Sequence, residues 1–210
     1  MTPEQFISIL SVAAKLKTTP RHCWTEPGRQ ESVADHTFRL ALMAMLLSGE
    51  EAFAGTDMNK VIRMCLIHDL GEAFTGDIPA FLKGGSDEKK EEEIFGSWVG
   101  TFPQPQKSEW EKLLGEMEEL ETKEARTYKA LDKLEALISH NESDIKTWLP
   151  LEYDLQMTYG QDNMKFSEYF VRLREYVDEW TLRKIKEAED EKGADHDRPD
   201  TGAENQTGMQ

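Results

Sequence analysis

The chain has 210 residues, a formal net charge of −16, 38% apolar and 31% charged side chains. That length suits one domain with a sizeable core, and the acidic balance argues against a nucleic-acid backbone or an anionic membrane surface as partner. A small anionic substrate stays open, because a local cation can invert the field inside one pocket.

In chain order the periodicity is helical almost throughout, and alternating strand patterns are scarce. Residues 3–17 place Phe6, Ile9, Leu10, Ala13 and Leu16 on one face. Ser32-Val-Ala-Asp35 has the form of a capping box, with Asp for the usual Glu, and opens a helix through Leu47 that Ser48-Gly49 ends. Asp57 caps the next helix, which carries Val61 to His68-Asp69, while Gly71 and Gly76 mark its exit into a turn. Asp77-Ile-Pro79 then leads to a helix near 86–99. Residues 107–121 and 124–141 read as two more, the second carrying Tyr128, Leu131, Leu134, Leu137 and Ile138. A last amphipathic helix runs from about Ser167 to Lys186 with Phe170, Leu173, Val177 and Trp180 as its stripe.

Residues 188–210 stay polar and acidic, a composition that cannot bury enough apolar surface to order itself. The expectation is an all-α domain over 1–187 and a disordered acidic tail over 188–210. The two cysteines, Cys23 and Cys65, make no disulfide framework, and Cys65 sits in an apolar run as a small core residue. The Met1-Thr-Pro-Glu start lacks a basic n-region, and no window approaches the ~20 apolar residues of a membrane span. A cytoplasmic location follows as the expectation.

Chemistry concentrates on His36, His68, Asp69 and Asp132, each set beside an apolar helix face. An imidazole and a carboxylate directly after Ile62, Met64, Leu66 and Ile67 would cost several kcal/mol to desolvate unless something binds them. Singly, each has an ordinary explanation: a hydrogen-bonded structural histidine, or an aspartate paired to Lys133 or Arg126. Jointly, they fit one shared cation. Mixed imidazole and carboxylate ligation favours Mn²⁺, Fe²⁺, Co²⁺, Mg²⁺ or Zn²⁺ and needs neither cysteine. His22 and His140 read as loop or helix-end residues, His196 as a tail residue, and no ligation is expected of them.

His36, the His68-Asp69 doublet and Asp132 resemble the H…HD…D signature of the HD-domain metal-dependent phosphohydrolases. The longer strings Glu31-Ser-Val-Ala-Asp-His36 and His68-Asp-Leu-Gly-Glu72…Thr75-Gly-Asp77-Ile-Pro79 are similar to the 5′-deoxynucleotidase branch over roughly residues 3–180. That resemblance implies a helical bundle with the metal between helices, usually a homodimer, cutting deoxyribonucleoside 5′-monophosphates to nucleoside and phosphate. Cobalt, manganese or magnesium is the implied ion. Glu72 matches the family's catalytic carboxylate and Arg21 the arginine that orients the phosphate. Asp77 matches a sugar-recognising position, or with Glu72 and the Ile78 backbone a second metal position. Trp24 is the candidate pocket tryptophan, although in the string Arg21-His-Cys-Trp24 it stands two positions later than the family's.

Two other readings stand beside this one. The same centre could act on a nucleoside polyphosphate, an analogue or a small phosphonate, or the protein could sense nucleotides without turnover. Phosphate release from a panel of deoxynucleoside monophosphates with added metal separates all three.

Overall fold

The computed structural model describes residues 1–196, with side chains through Glu191. Helix α1 (Pro3–Ala13) starts on a Thr2–Gln5 capping box with Pro3 in its first turn, then tightens into a 3₁₀ turn over Ala14–Thr18. Of its expected stripe only Leu16 is buried; Phe6 and Leu10 are 52% and 47% exposed.

Two strands follow, β1 (Pro20–Glu26) and β2 (Arg29–Ser32), paired antiparallel. The chain turns between them at Gly28, whose φ of +80° suits a residue without a Cβ. This hairpin is an addition to the expected helices. Register shifts on either side of Trp24 erase the alternation that would have announced it.

Helix α2 (Val33–Leu47) begins as the capping pattern predicts, with the Asp35 amide donating to Ser32 Oγ at 3.2 Å and the Ser32 amide to Asp35 at 2.9 Å. Helix α3 (Met58–Ile67) is capped by Asp57, which accepts from the Lys60 amide at 3.0 Å. It ends at Ile67, so His68-Asp69 stands at its C-terminal edge and not inside it. From there the backbone tightens into i+3 turns, Leu70 to Ile67 and Glu72 to Asp69, and enters the short α4 (Glu72–Thr75).

Helices α5 (Gly85–Val99), α6 (Gln106–Glu119) and α7 (Lys123–Glu142) match the expected segments. Two short helices, α8 (Pro150–Thr158) and α9 (Gln161–Met164), were not expected. Helix α10 (Glu168–His196) continues past the expected end at Lys186, so the first residues of the expected tail are helical. The rest of that tail, 197–210, lies outside the described residues.

The architecture is all-α with one small hairpin. Helix α7 is its axis, in contact with α2, α3, α6, α9, α10 and β1. Around it Val33, Leu40, Val61, Met64, Leu131, Leu134 and Phe170 are fully buried, each contributing about 1.5–3 kcal/mol of apolar transfer. Among the described residues no helix is long and apolar enough to cross a membrane.

Candidate metal centre and cavity

Three helices bring the titratable residues together. The first turn of α2 carries His36, the end of α3 delivers His68 and Asp69, and the middle of α7 carries Asp132. One ligand atom from each of His36, His68 and Asp69 lies within 4.8 Å of the others. The two Nε2 atoms are 3.2 Å apart. Asp69 Oδ2 is 3.0 Å from His68 Nε2 and 3.7 Å from His36 Nε2. Asp132 Oδ1 stands 3.4 Å and 3.5 Å from the same two nitrogens.

The far side of each ring is held. His68 Nδ1 donates to the Cys65 carbonyl at 2.9 Å, which turns Nε2 toward the cluster. His36 Nδ1 faces Glu135, a fully buried carboxylate that also accepts from Ser139 Oγ at 2.7 Å. Holding an imidazole's remote nitrogen on a carbonyl or carboxylate is how proteins aim a ring at a cation.

Burial disfavours every charge here, yet the mutual field prevails. Asp69 and Asp132 push the His68 imidazole up to about 10 against that burial. Asp132 stays well below the ordinary carboxylate range because Lys133, Lys129 and both imidazoles outweigh its desolvation. The clustered negative charge that draws protons onto these imidazoles is what a cation would offset in their place, binding the neutral rings and releasing those protons. Two imidazoles and two carboxylates form a donor set that a divalent cation can satisfy.

A family model for the HD domain matches residues 13–174. The chain belongs to the HD-domain family. It is 30% identical to 5′-deoxynucleotidase HDDC2 of Dictyostelium discoideum over 173 residues, 79% of this chain and 86% of that one. The human 5′-deoxynucleotidase HDDC2 is 30% identical over 140 residues, 65% of this chain and 67% of that protein. The crystal structure of a predicted metal-dependent phosphohydrolase from Magnetospirillum magnetotacticum superposes with a TM-score of 0.72 at 28% identity, covering 87% of this chain and 92% of that one.

The HD domain's cluster borders a cavity of about 340 Å³, lined near the cluster by Arg21, Asp69, Glu72, Asp77, Ile78 and Asp132. Glu72 is 5% exposed and its Oε2 has no hydrogen-bond partner among the described residues. Burial first, then Asp69, Asp77 and Glu91, push this carboxyl up to about 9. Burial and Asp69 also raise Asp77, partly offset by Arg21 and Lys83. Arg21 is tethered by Glu31, Nε to Oε2 at 3.3 Å, and reaches to 3.9 Å from Asp69.

Trp24 is not brought to this site. It sits half-buried in β1 opposite Gln30 and is not among the residues lining the cavity, which take in Arg21, His22 and Cys23 of the same strand. Of the two readings of Trp24, pocket wall or packing, this position suits packing. Sequence reasoning also passed over Glu135 behind His36, Glu31 behind Arg21, and the cation Lys129, and it named Lys133 only as a partner for Asp132. Those lysines stand 3.2 Å and 3.4 Å from Asp132 Oδ2, and both line the cavity. One signal was present: Lys129, Asp132, Lys133, Ala136 and His140 recur at helical spacing, which puts them on one side of α7.

Proposed function

We propose that this chain is a divalent-metal-dependent phosphomonoesterase that hydrolyses deoxyribonucleoside 5′-monophosphates to the deoxynucleoside and phosphate. The observation that carries this reading is a two-imidazole, two-carboxylate cluster bordering a nucleotide-sized cavity that also holds an arginine, three lysines and a buried carboxylic acid. The 5′-deoxynucleotidase names of its relatives support it.

His36, His68, Asp69 and Asp132 would hold the ion, with Co²⁺, Mn²⁺ or Mg²⁺ favoured and Zn²⁺ or Fe²⁺ compatible. When bound, it supplies Lewis acidity toward a phosphoryl oxygen and toward water. Glu72, Asp77 and the Ile78 backbone are where a second cation would sit. Phosphate monoester hydrolysis requires on the order of 20 kcal/mol of transition-state stabilisation, and the residues divide that task. Arg21 offers a planar fork to two phosphate oxygens, and Lys129 and Lys133 add positive charge beside them. Glu72, buried beside the cluster, is assigned general base toward water or acid toward the departing 5′ oxygen. Asp77 is assigned to the sugar.

Two further readings concern context. Buried, free Cys23 and Cys65 suit a reducing compartment such as the cytoplasm. An open apolar stripe on α2, Phe38, Leu42, Met45 and Leu46, suits a homodimer. No nucleic-acid or membrane partner is assigned.

The test is phosphate release from dAMP, dGMP, dCMP and dTMP, each with Co²⁺, Mn²⁺ or Mg²⁺. Metal-dependent release from at least one is expected, and binding without release from any would favour a sensor. Asp69→Ala should abolish turnover with helical content intact. Glu72→Gln should keep cation binding while kcat falls by roughly 10²–10⁴; an unchanged kcat would strip Glu72 of its role.

A further inference from the structure

Away from the cation cluster, β1, α7 and α8 bring His22, His140 and Glu152 to the same cavity. Glu152 is 5% and His140 9% exposed. Glu152 Oε1 lies 3.2 Å from His22 Nε2, and its Oε2 lies 3.7 Å from His140 Nε2. Neither imidazole nitrogen completes a hydrogen bond among the described residues, although both are buried. Buried polar nitrogens are ordinarily satisfied internally, and two left open side by side on one cavity point to a ligand.

The groups are held in place. The Leu149 amide donates to Glu152 Oε2 at 2.6 Å, which fixes the carboxylate plane. His140 stacks on Trp148 with ring centres 4.4 Å apart, and Phe81 meets the His22 ring edge-on at 5.5 Å. Along α7, His140 is eight residues from Asp132, about 12 Å at the helical rise. That is the scale of the span from a 5′-phosphate to the edge of its base.

Building on the nucleotidase reading, we propose that Glu152, with His22 and His140, reads the nucleobase and selects guanine. A carboxylate is an acceptor on both oxygens and pairs best with two adjacent N–H donors. On the pairing edge of guanine, N1–H and the 2-amino group form such a pair, and beside them O6 accepts from an imidazole N–H. Adenine and cytosine place an acceptor nitrogen next to their amino group, and thymine flanks its N–H with two carbonyls. Each of those would set lone pairs against Glu152. Burial, with His22 and Lys184 nearby, pushes the His140 imidazole down to about 4, so at neutral pH it keeps one donor and one acceptor nitrogen.

The experiment uses the full chain carrying Glu72→Gln, loaded with Mn²⁺, titrated calorimetrically with dGMP, dIMP, dAMP, dCMP and dTMP. dGMP should bind tightest, by roughly tenfold or more over dIMP, which lacks only the 2-amino group. Adding Glu152→Gln should bring the dGMP to dIMP ratio close to one. Equal affinities across the five nucleotides, or a ratio that survives Glu152→Gln, would overturn the proposal. If Glu152 only held α8 in place, its loss would weaken all five alike and leave their ratios standing. Should Glu152→Gln fail to fold, the five-ligand series on the Glu72→Gln protein decides by itself. Equal binding sinks base selection alone. No binding by any nucleotide, with no phosphate released by the wild type, sinks the nucleotidase reading and this proposal with it.

Discussion

His140 shows how one buried side chain imposes a pH dependence on the whole fold. Its imidazole drops from an ordinary 6.5 to about 4, first through burial and then through His22 and Lys184. Between those values the unfolded chain binds a proton that the folded one refuses, so stability falls as pH falls. The contribution is present above pH 6.5 and lost toward pH 4, to a total of roughly 3 kcal/mol. The raised imidazoles of His36 and His68 act with the opposite sign, so a comparison must cancel them. We therefore expect His140→Gln to retain more of its neutral-pH stability at pH 4.5 than the wild type does, in urea midpoints measured with chelator present. Parallel curves would mean that His140 titrates normally.

Among the elements, α7 joins the chemistry to the core, and its neighbour α9 holds part of it in place. Gly160, with φ of +68°, passes so close to α7 that an added Cβ would lie 2.6 Å from Lys133 Cβ. Lys133 in turn donates to the Tyr159 hydroxyl at 2.6 Å and lies over its ring at 4.6 Å. Gly160→Ala must displace either the Gly160 backbone or the lysine, at a cost on the order of 1–3 kcal/mol. A lower melting temperature together with a raised KM is the expected result; an unchanged KM would remove Lys133 from phosphate binding. The same elements explain what could be read in advance. The Ser32–Asp35 and Asp57 caps, and the ligand-type residues on apolar faces, are local patterns, and the structure gathers those residues. The hairpin lost its alternation to register shifts at Trp24, and α8 and α9 are too short for periodicity to declare. Glu135 sits in a leucine-rich run, where it reads as a solvent-facing residue. Only the packing of α2 on α7 makes it the partner of His36.

At the level of the whole molecule, the core is closed around α7 but the outer face of α2 is not. Phe38, Leu42, Met45 and Leu46 recur at i, i+4, i+7 and i+8, and are 68%, 37%, 58% and 68% exposed. Exposed apolar residues are ordinary singly, but a contiguous stripe marks a contact surface. The chain's strong negative charge opposes self-association at long range, so a second copy would have to be held by apolar burial at short range. An isologous pairing, α2 against its symmetry mate, uses one stripe twice and closes without leaving a free end. Sedimentation at micromolar concentration should then give twice the chain's mass, little changed by added salt. Phe38→Glu with Leu42→Glu would set four carboxylates into the shared face and release monomers. Both positions lie on the solvent side of α2, so the helix itself should stay folded and a circular dichroism spectrum should not change. A wild-type protein that sediments as a monomer across that range would leave the stripe without a second copy to cover it.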